Sequence, residues 1–389
     1  MYKNFYMVFI FLLIVFLATS INFTGCNNNP VIPRETVSFS QDIFPIFATN
    51  CTFPGCHNSI DKQEGLDLNS WQSLMLNGYS RGTAVIPYNA FWSNFVRHIS
   101  TDSNMAPVYT PTMPKALVPY TNGQPLSKSS VELIMRWINQ GAKNEWGEVA
   151  YSNIPRKAFI TNQASDFVAV VNLDNNLLVR LVEVGGRNNQ TAPVDAPHVI
   201  IVDRQGAYFY VSLIAEGFIE KYDANTYEKL GRMLAGSSPA HIVISEDGSK
   251  GWFSNFDATG LEKNIKEFDT QTMTITHIIG DVRMREPHGM RLTHDENLII
   301  MATQGSEFVY VINTADNQIL DIIQIDPTVP PNGNGTRNFI PYQVAITPDD
   351  RYAYISCLKS NDVRVFDIQT RTITQNIPVG LNPLALEIS

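Results

Sequence analysis

Two cysteines and a histidine stand close together in the run Cys51-Thr52-Phe53-Pro54-Gly55-Cys56-His57. Two thiols with an imidazole fused to the second are the groups that covalent haem attachment uses. Each thiol adds to a vinyl group of the porphyrin, and the neighbouring imidazole grips the iron from one face. The common spacing is C-x-x-C-H; here four residues separate the cysteines, so the motif is a wider variant. The same residues could close a disulfide, or form a zinc or free-thiol site. The sixth ligand of a haem held this way would lie downstream, where Met113, Met105 and His98 are the candidates, an open site being the alternative. Histidine opposite methionine fills both axial positions and raises the potential, which suits passing electrons rather than activating a substrate. Any single methionine could equally be core packing.

A second set of chemistry-bearing residues lies far along the chain. His198, His241 and His288 each follow a proline by one or two positions. If those positions line a channel, the imidazoles could ligate a metal or hydrogen-bond a small substrate. They could also simply satisfy buried carbonyls. No Ser-His-Asp arrangement, phosphate loop or paired-carboxylate signature accompanies them.

Positioning the first group falls to the segment around it. Ser40 is expected to cap a short amphipathic helix in which Ile43, Ile46 and Phe47 share one face. Ser127 to Ser130 open a second helix with an apolar stripe of Val131, Leu133, Ile134, Trp137 and Ile138, stopped by Gly141. Two such helices packed together would close a small core. Trp71, Phe91, Trp92, Phe95 and Trp137 are available as pocket walls or as ordinary core residues.

These elements together resemble a class I-type cytochrome c domain. The matching stretches are Ser40-Gln41-Asp42-Ile43-Phe44-Pro45-Ile46, the haem motif, Gly65-Leu66-Asp67-Leu68, Met113-Pro114, and Leu126-Ser127 running to Trp137-Ile138-Asn139-Gln140-Gly141-Ala142. The resemblance implies haem c bonded through Cys51 and Cys56, with His57 and Met113 as axial ligands and Met105 as the alternative.

Positioning the second group falls to an internal repeat. Pro197, Pro239, Pro287, Pro341 and Pro383 stand at one register before apolar strands, and Gly206, Gly248, Glu296 and Asp350 follow the first four as turn residues. A second ladder, Asn172, Asp223, Asp269, Asn313 and Asp367, ends alternating strands at corners where a short side chain can bond the local backbone. The unit carries four strand-like segments, as a propeller blade does. The fragments Ser360-Asn361-Asp362-Val363-Arg364-Val365-Phe366-Asp367 and Ile377-Pro378-Val379-Gly380-Leu381-Asn382-Pro383 resemble the YVTN-type β-propellers. The first repeat begins with a middle strand, so Leu384–Ile388 is expected to supply that blade's innermost strand and close a five-bladed ring. An open or partner-completed ring is the alternative.

The chain of 389 residues carries a net charge of −9, which gives nucleic acid no electrostatic support. Residues 1–25, with Lys3 and the apolar run Met7–Leu17, read as an export signal. Phe23-Thr24-Gly25-Cys26 resembles a bacterial lipobox, which implies lipidation of Cys26; an ordinary cleaved signal is the alternative. The remaining Cys357, in an apolar strand pattern, reads as a buried inert thiol. The expected fold is therefore multidomain: a lipoprotein signal peptide (1–25), a tether (26–36), a small all-α cytochrome c domain (37–150), and an all-β propeller (155–389) of five four-stranded blades. The expected function is a lipid-anchored electron carrier of the cell envelope, facing periplasm or exterior, with a redox partner protein docked by the propeller. An oxidoreductase propeller handing electrons from a small molecule to the haem, and a non-redox surface binding module, are the alternatives.

Overall fold

The computed structural model describes residues 36–186, 194–326, 328 and 337–388. The expected signal and Cys26 lie outside them. The described chain begins with a π-type turn (Phe39–Ile43) running into helix α1 (Phe44–Asn50). The cap is Ser38 rather than Ser40: its hydroxyl accepts from Gln41 N at 3.3 Å, while its own amide donates to Asp42 Oδ2 at 2.8 Å. Asp42 can reach back only from that register, and this selects the earlier serine. Short helices α2 (Trp71–Leu76) and α3 (Asn94–Ile99) follow, and α4 (Lys128–Asn139) closes the segment under a Ser127 cap. Phe39 packs against Trp137 of α4 and Phe47 against Phe95 of α3, with centroids 5.5 and 5.1 Å apart. Ile43, Phe47, Ile134, Trp137 and Ile138 are fully buried there.

The segment is not purely helical. A two-stranded ladder, β1 (Ala116–Leu117) with β2 (Thr121–Asn122), and long irregular connections occupy much of it. The expected all-α domain is corrected to that extent. Pro107, Pro111, Pro114 and Pro119 fall every few residues through this stretch, each without an N–H, so a helix cannot propagate there.

The rest is β-propeller-like. Among the described residues the first sheet has three strands, β3 (Lys157–Asn162), β4 (Phe167–Asn172) and β5 (Leu177–Glu183). Four sheets of four strands follow: β6 (Pro197–Val202) to β9 (Lys229–Leu234), β10 (Pro239–Ile244) to β13 (Thr274–Gly280), β14 (Pro287–Leu292) to β17 (Ile319–Gln324), and β18 (Pro341–Ile346) to β21 (Thr372–Pro378). All pair antiparallel in chain order. Strand periodicity explains the stacking, because successive side chains face opposite neighbours. On β7 (Tyr208–Leu213), Phe209 and Val211 join a cluster with Val168, Val170 and Val179 of the first sheet. Tyr210 joins Ile242, Phe253 and Phe268 of the third. Similar clusters bind the third sheet to the fourth and the fourth to the fifth.

Four of the five register prolines and all five corner residues fall where the repeat predicts. Pro197, Pro239, Pro287 and Pro341 open the innermost strands, and Asn172, Asp223, Asp269, Asn313 and Asp367 end β4, β8 (Phe218–Asp223), β12 (Asn264–Asp269), β16 (Phe308–Asn313) and β20 (Asp362–Asp367). Asp223 Oδ1 accepts from Asn225 N and Thr226 N at 2.7 and 2.8 Å, as a local turn cap should. Gly206, Gly248, Glu296 and Asp350 all have positive φ, the conformation their turns require. Asp350 also accepts from the His294 amide at 2.7 Å, lashing its turn to the preceding sheet.

The ring closure expected from Leu384–Ile388 is not formed. Residues 379–388 lie in no strand, although Asn382 before Pro383 repeats the positive φ of Ala196, Ser238, Glu286 and Ile340. Among the described residues the first sheet thus lacks an innermost strand, and the ring they form is open. The helical segment and the sheets belong to one compact unit, Ser38–Ser389. Thr83 Oγ1 donates to Leu178 O at 2.7 Å and Tyr151 Oη to Leu76 O at 2.7 Å, so the loop after α2 rests on β5 and the end of α2 on the segment leading into β3. Cys357 is fully buried on β19 (Tyr352–Cys357), and burial pushes its thiol up to about 12.

Candidate functional site

Cys51 follows the last turn of α1, its amide donating to Phe47 O at 2.7 Å. The chain then loops so that His57 N donates to Cys51 O at 3.0 Å and Leu68 N donates to His57 O at 2.9 Å. Asp61 holds the loop tip by accepting from Gly55 N at 2.8 Å. The doubled-back path brings Cys51 and His57 to one wall. Cys51 is buried and Cys56 half-buried, and both are free thiols. Burial, with Cys56 adding to it, pushes the Cys51 thiol up to about 12. It is therefore a neutral thiol at neutral pH and no ready thiolate ligand. Burial lowers the His57 imidazole below its ordinary value, and its Nδ1 is buried without a partner.

The opposite wall comes from α3 and the loop after it. Met113 N donates to His98 O at 2.7 Å, and His98 Nδ1 lies 3.4 Å from Pro111 O. Tyr109 N donates to Arg97 O at 2.8 Å, with the Arg97 guanidinium 4.0 Å over the Tyr109 ring. These contacts pin a loop that has little regular structure of its own.

Between the walls lies an open-sided cavity of about 700 Å³, counting its mouth. Cys51, His57, Met113 and His98 all line it. Leu66, Leu68, Ala84, Phe95 and Ile99 make its apolar surface, and Tyr79, Glu64, Arg81 and Lys115 its polar one. Cys56 adjoins His57 in the chain without lining the cavity. Met105 does not line it either. Of the aromatic residues considered as walls, only Phe95 serves. Phe91 and Trp92 are exposed, while Trp71 and Trp137 are core residues whose indole N–H groups donate to Ala142 O and Lys143 O. Arg81, Lys115 and Tyr79 escaped the sequence reading, since isolated residues in irregular loops carry no periodic signal.

The three histidines of the second group do converge. Their ring centroids lie 6.2 Å (His198–His241), 5.6 Å (His198–His288) and 4.8 Å (His241–His288) apart. A β-bulge explains how. In each complete sheet the register between the innermost strand and its neighbour slips just after the proline, at 197/200, 239/242, 287/290 and 341/344. A bulge re-aims the side chains at the slipped positions, and those positions hold His198, His241 and His288. Ser254 Oγ accepts from His241 N at 3.1 Å and donates to His288 O at 2.9 Å, stitching adjacent strands. Thr161 Oγ1 donates to His198 O at 3.0 Å from the corresponding place on β3. Burial holds His241 well below its ordinary value and takes His288 down to about 3, neighbouring histidines adding to both. Among the described residues, His288 Nδ1 lies 3.2 Å from the backbone carbonyl of Tyr342 and His198 Nδ1 3.2 Å from the side-chain oxygen of Gln163.

No family model and no curated protein matches the chain. Among solved structures it is similar to Kuenenia stuttgartiensis hydrazine synthase, at 16% identity over 58% of this chain and 84% of that one, with a TM-score of 0.42. A likeness that slight supports no functional argument. Among the described residues no helix is long and apolar enough to cross a membrane.

Proposed function

We propose that the chain is a c-type cytochrome that carries electrons in the cell envelope, tethered through a lipidated Cys26, with its sheets serving to dock a redox partner protein. The observation that carries this reading is the convergence of Cys51, His57 and Met113 on one open-sided, largely apolar cavity. The donor set suits haem c: the free thiol of Cys51 on the wall with that of Cys56 adjoining it through His57, an imidazole with an unpartnered buried nitrogen, and the Met113 thioether side chain on the other wall. When bound, haem supplies a one-electron couple. The chain's own contribution is the surroundings. Leu66, Leu68, Phe95 and Ile99 keep water away and favour the less charged reduced state, while Arg81 and Lys115 bring positive charge for the two propionates. His57 and Met113 would hold the iron between the two walls, an arrangement suited to passing electrons rather than to binding a substrate.

The test is an optical redox titration of chain exported through a cytochrome c maturation system. A single reversible one-electron transition, shifted to lower potential in Met113→His, is expected. A potential insensitive to that substitution would remove Met113 as the ligand; the absence of any reversible transition, or turnover of a bound small molecule in place of simple reversible reduction, would overturn the electron-carrier reading.

A further inference from the structure

The three imidazoles at the innermost strands are left unexplained by a haem in the N-terminal cavity. We propose that His198, His241 and His288 bind one divalent transition-metal ion of the zinc class, with its fourth position open to the central channel. The inference stands apart from the haem reading and uses none of its residues.

One potential ligand atom from each histidine falls in a group whose members all lie within 4.8 Å of one another. Two ring nitrogens, His198 Nε2 and His241 Nδ1, are buried without any hydrogen-bond partner. Burying polar nitrogens unpaired is unfavourable, and a site that binds a cation there removes that defect. The remaining nitrogens are arranged as metal sites arrange them. His288 Nδ1 lies 3.2 Å from the Tyr342 carbonyl, which can only accept, so Nδ1 carries the proton and Nε2 keeps its lone pair. His198 Nδ1 lies 3.2 Å from Gln163 Oε1, which leaves Nε2 in the same state. The His288 ring is further fixed by stacking on Tyr342, at 3.9 Å between centroids. A metal at about 2.1 Å from each nitrogen holds them roughly 3.4 Å apart in tetrahedral geometry, so the rings must close inward on loading.

Three neutral imidazoles without a carboxylate suit a borderline ion rather than calcium or magnesium, which take oxygen ligands. The open side is a channel cavity of about 1080 Å³, counting its mouth, that His198 and His241 line together with Arg291 and Glu387. Arg291 pairs with Glu387 at 3.3 Å across that space.

Zinc titrated calorimetrically into the chelator-stripped full chain, with bound metal counted after dialysis, tests the site. One zinc per chain is expected. It should persist in Cys51→Ser/Cys56→Ser, vanish in His241→Gln and His288→Gln, and weaken about tenfold in Gln163→Ala. Circular dichroism checks that each variant is folded; if buried His241 or His288 does not tolerate replacement, the less buried His198→Gln decides. Failure of the wild type to take up zinc, retention of zinc in folded His198→Gln or His288→Gln, or its loss in the double cysteine variant would each overturn the proposal.

Discussion

Met113 is the residue on which the redox reading turns most finely. Its backbone is held to the end of α3 through His98 O, whereas Met105 sits on the same loop without lining the cavity. In protein carrying haem, Met113→Ala should therefore remove the weak far-red absorption of methionine-ligated ferric haem, and Met105→Ala should leave it unchanged. The reverse result would transfer the ligand role to Met105. The Cys-His run and the Met-Pro pair were legible because their chemistry is written in adjacent residues. Arg81 and Lys115 were not, because only the folded loops bring them to the same cavity. Phe91 and Trp92 illustrate the opposite error: aromatic residues near a motif suggest a wall, yet these two face solvent.

At the scale of elements, the repeat made the sheets readable. Proline at a strand start and Asp or Asn at a corner are local requirements, so each copy can be recognised without knowing its neighbours. The convergence of the histidines was less legible, since it depends on a bulge that slips the register between two strands. Ser254 tests that arrangement. Its hydroxyl serves a buried amide on β10 and a buried carbonyl on β14 (Pro287–Leu292) at once. Ser254→Ala should cost about 1–3 kcal/mol in denaturant unfolding, because both groups are left without that partner. No measurable loss would mean the strands are held by apolar packing alone. Gly289 marks the closest approach on the next seam, where an added Cβ would run into the Tyr342 carbonyl oxygen. Gly289→Ala should cost about 1–3 kcal/mol by forcing β14 and β18 (Pro341–Ile346) apart, and a thermal scan showing wild-type stability would contradict that packing.

For the whole molecule, the sheets form a run stacked in chain order, with the helical segment resting on its first member. Each internal seam has a hydrophobic cluster, but the segment after Pro378 is mostly exposed and lies in no strand, tied back by Val379 N to Asn361 O and Asn382 N to Asn361 Oδ1, with Leu381 and Leu384 in solvent. Its one ion pair, Glu387 with Arg291, is an exposed contact of little strength. Deleting residues 380–389 should therefore change unfolding free energy by less than about 1 kcal/mol. A loss several times larger would show that this segment completes the first sheet in solution. The sequence register alone favoured such closure, because a proline and its preceding kink repeat there; the strand hydrogen bonds that would follow are missing.

The central claim is that porphyrin is bonded to this chain at Cys51 and Cys56. The most direct measurement is the intact mass of exported protein, compared with Cys51→Ser/Cys56→Ser prepared alongside it. Wild type heavier by one haem, with the double variant lacking that increment, is the predicted result. Wild type at the mass of the polypeptide with its processing alone, from cells that mature other c-type cytochromes, would contradict the account.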